Sequence, residues 1–240
     1  TMTPEGSEHI TARADDMIAG YDDTAVLGPL QLRLHPGITA LLGRNGSGKT
    51  TLMRTLCGII PPLSGRCIVL GEQVVDGAAV RSRVGYLGHK SALSSGLSVA
   101  QNLSFWRTIN ASLPQIPLIA EAELIGRFDL EPILDKRVSA LSRGQRQRVD
   151  LARLAMTDPE FVVLDEPLTG LDPVYAAETR ALLHEWGTTR TVLYSTHSVP
   201  EALELASRFL IVDGRDVLTL GSDGTAITET QILQSLGASS

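Results

Sequence analysis

Two cysteines in 240 residues, Cys57 and Cys67, exclude a disulfide framework, and aromatic residues make up only 4% of the chain. No apolar run approaches the roughly 18 to 20 residues that a bilayer-spanning helix needs. Mean hydropathy is only +0.09. Positive charge is scarce too: 21 lysines and arginines against 27 acids leave a formal charge of −6. Phosphate-backbone binding normally demands a basic face, so no nucleic acid is expected as a partner. There is no signal-peptide pattern, no internal repeat and no low-complexity block. His9, His35 and His184 have no neighbours at metal-ligand spacing, and the two cysteines read as small core residues. The expected compartment is a reducing cytoplasm.

What is present is ordinary globular usage, with 43% hydrophobic and 20% charged residues, enough for a substantial core. Short apolar runs at 38–42, 161–164 and 191–195 read as strands buried on both faces. After the first, Leu52, Leu56 and Ile59 recur at helical spacing, stopped by Gly58 and the pair Pro61, Pro62. Strand, loop, helix in that order predicts an α/β fold with a mainly parallel sheet. Residues 89–157 read as an inserted helical subdomain punctuated by Pro114, Pro117 and Pro132, and 209–220 as a hairpin turning at Asp213 and Gly214. The stretch to residue 14 reads as a polar flexible tail. One domain over 15–240 is therefore expected, its core formed by 15–88 and 158–222, with 223–240 as a C-terminal extension carrying no chemical signal.

Gly43-Arg44-Asn45-Gly46-Ser47-Gly48-Lys49-Thr50 satisfies the phosphate-loop (Walker A) pattern between a strand and a helix. Its glycines let successive N–H groups face phosphate oxygens at a helix N-terminus. Lys49 would reach the β and γ phosphates, and the Thr50 hydroxyl would bind Mg²⁺. A dinucleotide fingerprint fits worse, because its third glycine would fall at Thr51, which joins the candidate nucleotide-binding residues instead. The run 161–164 ends in Asp165 and Glu166, two acids at the carboxyl end of a core strand. Asp165 suits the metal, and Glu166 suits orienting or deprotonating an attacking water. In Leu141-Ser142-Arg143-Gly144-Gln145, Ser142 and Gln145 have capping-box spacing, and the helix start makes a second anion site. Two phosphate sites in one chain fit a dimer in which each glycine loop faces the other copy's Ser142 helix.

The Leu-Ser-x-Gly-Gln segment 24 residues before Asp165 resembles the signature of the ABC ATPase family, the nucleotide-binding subunits of membrane transporters. The resemblance runs from about residue 18 to 220. It implies ATP and Mg²⁺ as cofactors, two ATPase subunits (a homodimer or heterodimer) closing head to tail on two ATP molecules, and an integral membrane permease as partner. The chain would then sit on the inner face of the cell membrane through that permease and drive transport, with export favoured. A soluble ABC-type ATPase in iron–sulfur cluster assembly or another non-transport role is the alternative. By the same resemblance, Ser142, Gly144 and Gln145 contact ATP in the opposite subunit, and Gly170-Leu171-Asp172 matches the loop facing that subunit. Asp172 followed by Pro173 also reads as N-cap and N1 of a helix. Ser195-Thr196-His197 matches the segment ending in the switch histidine, which contacts the γ phosphate. Tyr21, 28 residues before Lys49, resembles the aromatic that stacks on adenine. No Asn-Lys-x-Asp guanine reader is present.

Two positions depart from the family pattern. His89 stands where most relatives have Gln, and an imidazole is a poor direct partner for Mg²⁺. Arg143 replaces the commonest glycine of the signature. The Tyr86-Leu87-Gly88-His89 run also resembles the haem-exporter subunits of cytochrome c maturation. Phe105, Trp106 and Trp186 read as packing residues. An exposed apolar groove between His89 and Trp106 would suit a helix of the membrane partner.

Overall fold

A computed structural model of the chain describes residues 9–75, 78–112, 117–221 and 224–237. The expected tail lies outside the described residues up to residue 8. Its end, however, is strand. β1 (Ala12–Tyr21) buries Ala12, Ala14, Met17 and Ala19 and turns into β2 (Thr24–Leu34) as an antiparallel pair. The small inward alanines gave no strong apolar signal, and Arg13 pairs with Asp15 at 2.8 Å on the wetter face.

β3 (Gly37–Gly43) leads through the glycine loop into α1 (Lys49–Leu56). This helix stops at Leu56 because Gly58 adopts a left-handed conformation, φ 68°, so Ile59 leaves the helical register and faces solvent. β4 (Ser64–Val69) and the two-residue β5 (Glu72–Gln73) complete an antiparallel sheet in the order β2-β1-β4-β5. α2 (Ala78–Arg83) precedes β6 (Val84–Leu87).

Then follow α3 (Val99–Ala111), α4 (Glu121–Arg127), two 3₁₀ turns at Glu131–Ile133 and Val138–Ala140, and α5 (Arg143–Ala155). Among the described residues of 89–157 there is no strand beyond an isolated Ser98–Arg137 bridge. The chain returns through β7 (Phe161–Leu164), α6 (Pro173–Thr189), β8 (Thr191–Thr196), α7 (Val199–Leu205), β9 (Arg208–Asp213), β10 (Asp216–Leu220) and α8 (Glu229–Ser235). The second sheet has the order β10-β9-β3-β8-β7-β6, parallel except for β10.

Burial explains the continuous apolar runs. All four residues of β7 have no exposed surface, with Phe161 and Val163 facing one core cluster and Val162 and Leu164 the other. Each such side chain contributes about 1.5–3 kcal/mol of transfer free energy. The β9–β10 pair, turning at Gly214 (φ 61°), is the expected hairpin. Cys57 and Cys67 are both buried, and burial pushes the thiol of Cys67 up to about 12 and that of Cys57 higher still. Of the three packing residues, Trp186 is fully buried and Trp106 half-buried under the Arg153 guanidinium, but Phe105 is 51% exposed. It sits edge-on to Trp106 at the solvent side of α3.

Candidate active site

Parallel order brings the carboxyl ends of β3, β7 and β8 side by side, and the loops after them carry the chemistry. Gly46 and Gly48 hold φ 77° and 105°, a backbone region closed to most side chains, and a Cβ on Gly48 would lie 2.9 Å from Val26. Ser47 Oγ is buried in this loop with no protein partner, and space around Gly46 is open. A phosphate fits that arrangement, since an orphaned buried hydroxyl is otherwise costly.

Lys49 is buried, and its Nζ donates to the carbonyls of Gly43 (2.7 Å) and Arg44 (3.0 Å). Burial lowers its pKa from the ordinary lysine value, while Glu166 and Asp165 oppose that shift. Thr50 Oγ1 donates to Asp165 Oδ2 at 2.8 Å. The other carboxylate oxygen, Oδ1, accepts from Ser195 Oγ at 2.7 Å, and that hydroxyl in turn accepts the Glu166 N–H at 2.9 Å. Ser195 is fully buried. In the 195–197 segment the sequence points to His197; Ser195 owes its role to the register Leu164↔Tyr194, which sets its hydroxyl beside the acid after β7. Paired oxygens of Thr50 and Asp165 are a donor set of the hard kind Mg²⁺ favours.

Glu166 takes a left-handed backbone, φ 51°, unusual for a non-glycine residue. His197 Nδ1 lies 4.0 Å from Glu166 Oε1, and its imidazole is 60% exposed. Gly43, Arg44 and His197 line one cavity of about 300 Å³ with Leu236 and Gly237. His89 lines another, of about 320 Å³, with Asp165, Glu166, Arg143 and Arg146. Thus Lys49, Thr50, Asp165, Glu166, His197 and His89 converge.

Ser142, Gln145 and Asp172 do not line that cavity. Ser142 Oγ accepts the Gln145 N–H (3.2 Å) and its own N–H donates to Gln145 Oε1 (3.1 Å), the expected capping box, with the serine exposed. Asp172 Oδ1 accepts from Val174 N and Tyr175 N, capping α6. Gly144 is buried, and the group that approaches its α-carbon is the Tyr175 ring, 2.4 Å from where a Cβ would stand. Tyr21 is partly exposed at the end of β1.

A model of the ABC transporter family matches residues 27–169. A daunorubicin resistance ATP-binding protein of Streptomyces coeruleorubidus is 40% identical over 88% of this chain and 67% of its own length. A molybdenum import ATP-binding protein of Paramagnetospirillum magneticum is 33% identical over 80% of this chain, which spans 54% of that relative. A solved structure of cbiO1 from Clostridium perfringens, described as part of the ABC transporter complex cbiONQ, superposes with a TM-score of 0.74 at 26% identity, covering 96% of both chains. Phosphate loop, paired acids and capped signature helix thus occur in a fold shared with that subunit, and the chain belongs to the ABC transporter family as an ATP-binding ATPase domain.

Proposed function

We propose that two ATPase subunits, each with this site, close on two ATP molecules and that turnover drives a membrane permease. The observation that carries the reading is the hydrogen-bonded chain Thr50–Asp165–Ser195–Glu166, which fixes a hydroxyl, a carboxylate and the backbone N–H of the next acid around one point at the mouth of the glycine loop. Backbone N–H groups of 44–46 and 48–51, with Gly43, Arg44, Asn45, Gly46, Ser47 and Gly48 shaping the loop, bind the phosphates, while the Ser47 N–H closes the loop on the Arg44 carbonyl, and Tyr21 stacks on the adenine. Lys49 neutralises the β and γ phosphates. Thr50 and Asp165 would hold Mg²⁺, which supplies Lewis-acid stabilisation of phosphate charge when bound. Glu166 orients the attacking water and takes its proton, while His197, 4.0 Å from that carboxylate, holds the γ phosphate side. His89 acts at the same cavity through water rather than as a direct ligand.

The exposed, serine-capped start of α5 supplies the opposite face, so that Ser142, Gly144 and Gln145 grip the other subunit's ATP, with Asp172 at the seam. The permease docks on α3, where Phe105 and Ile109 are exposed beside Trp106. That contact would hold the chain on the inner face of the membrane, and no helix among the described residues is long and apolar enough to cross it. Export is the proposed direction, following a 36%-identical Nod factor export ATP-binding protein of Cupriavidus metallidurans rather than the 33%-identical import subunit.

Glu166→Gln tests the reading. It is expected to slow hydrolysis at least about 100-fold and to trap an ATP-bound dimer visible by light scattering with magnesium nucleotide. A monomer under those conditions, or turnover near that of the unmodified chain, would overturn it.

A further inference from the structure

The inserted helical segment does not close tightly on the core. Between the end of α4, the middle of α5 and α6 lies a cleft of about 370 Å³ that shares no lining residue with either cavity of the candidate active site. Its floor is apolar. Phe128 and Leu151 are buried, Leu182 is half-buried, and Ala181 contributes only a methyl, which leaves the opening. The volume falls at the lower end of small-molecule sites, roughly 300–1,000 Å³, so a compact ligand fits and a long one does not.

Charge decides what enters. Arg148 and Arg127, the two cations of the wall, have side chains only 17% and 25% exposed, and both are already engaged. Arg148 pairs with Asp129 at 3.3 Å and with Glu178, and covers the Tyr175 ring at 4.7 Å. Arg127 pairs with Glu185 at 2.5 Å. The three carboxylates are 50% to 77% exposed. Among the described residues each keeps one oxygen without a hydrogen bond: Asp129 Oδ1, Glu178 Oε1 and Glu185 Oε2. Three acids against two bases leave a negative balance, carried by the exposed rim while the positive groups are held in the wall. An anion would meet that rim first and be repelled; a cation is drawn in.

We propose that this cleft is a binding site for a compact organic cation, a flat apolar body lying on Phe128, Leu151 and Leu182 with its ammonium among Asp129, Glu178 and Glu185. The body leaves water for a surface that is itself apolar. The ammonium meets acceptors that the chain's own guanidiniums leave half used, and such charge-assisted hydrogen bonds are the stronger kind. An occupant would touch α4, α5 and α6 together, tying the inserted segment to the core through side chains that have no part in the nucleotide chemistry above.

The test uses the full chain with proflavine, a flat three-ring cation at neutral pH, and anthracene carboxylate, an anion of like shape. Each is titrated by fluorescence in saturating magnesium ADP, which keeps the dyes out of the nucleotide cavity. Proflavine is expected to bind one per chain, at least about tenfold more tightly than the carboxylate, and to weaken as salt is added. Ala181→Trp, which sets an indole in the opening, is expected to abolish binding. Asp129→Asn combined with Glu185→Gln is expected to weaken it about fivefold. Asparagine tolerates the left-handed backbone at 129, φ 47°, and Arg148 keeps Glu178, so the double variant still decides if the indole unfolds the chain. Equal binding of the two dyes, affinity unchanged in the folded variants, or no saturable proflavine binding in the presence of ADP would overturn the proposal.

Discussion

Ser195→Ala isolates the hydroxyl that joins the two acids. Ser195 has no exposed surface, donates to Asp165 at 2.7 Å and accepts from Glu166 N at 2.9 Å. Hydrogen bonds to a charged group contribute about 1.5–3 kcal/mol, and a buried N–H left unsatisfied costs about 1–3 kcal/mol. Asp165 keeps its second bond, from Thr50, so the lower part of each range applies and the expected loss is about 3 kcal/mol. For a chain of this size that is a fall in melting temperature of roughly 6 to 12 °C. Turnover has a separate signature. The glycine loop and Lys49 are untouched, so KM should stay within about twofold, while kcat falls roughly tenfold as Glu166 loses its backbone anchor. Calorimetry and steady-state ATP hydrolysis on the same preparation check both halves. A melt within roughly 1 kcal/mol of the unmodified protein would refute the reasoning, because a surface-like response is incompatible with a buried, doubly bonded hydroxyl.

Gly144→Ala would drive a methyl to 2.4 Å from the Tyr175 ring; the overpacking should cost about 1–3 kcal/mol in a urea melt, and a neutral result would contradict the packing. Cys67→Ala addresses pH. The folded thiol is raised from 9.0 to about 12, so its stabilising contribution is full below pH 9 and is lost as pH climbs toward 12. Between pH 8 and 10 the unmodified chain should lose about 1.4 kcal/mol that the variant does not, read from urea melts at both pH values. Phe105→Glu, on the exposed side of α3, should leave the melt within about 0.5 kcal/mol yet abolish association with a membrane partner; an unchanged association would move the docking face elsewhere.

The phosphate loop, the acids after β7 and the 209–220 hairpin were legible because each is a local pattern: consecutive residues whose order alone dictates the backbone. The start of β1 was not, since Ala12 and Ala14 are small enough to look like linker until β2 and β4 cover them. Ile59 fitted a helical period that Gly58 had already ended. At the site, Ser195 owes its place to strand register, and Gly144 owes its packing to a ring 31 residues further on. Contacts of that sort depend on which elements become neighbours, and no short window of sequence carries them. Phe105 illustrates the converse: its aromatic character pointed to packing, whereas α3 presents it to solvent.

The posture of Lys49 bears on how tightly a nucleotide could be held. An ammonium has three N–H groups, and the loop's own carbonyls already engage two of them. Freezing so long a side chain forfeits roughly 2 kcal/mol of rotamer freedom. Here that loss belongs to folding, so an incoming phosphate meets a cation already held in place, with one N–H not engaged by those two carbonyls. Substituting arginine would keep the charge but discard this readiness, because a planar fork cannot reproduce the tripod that grips the strand end.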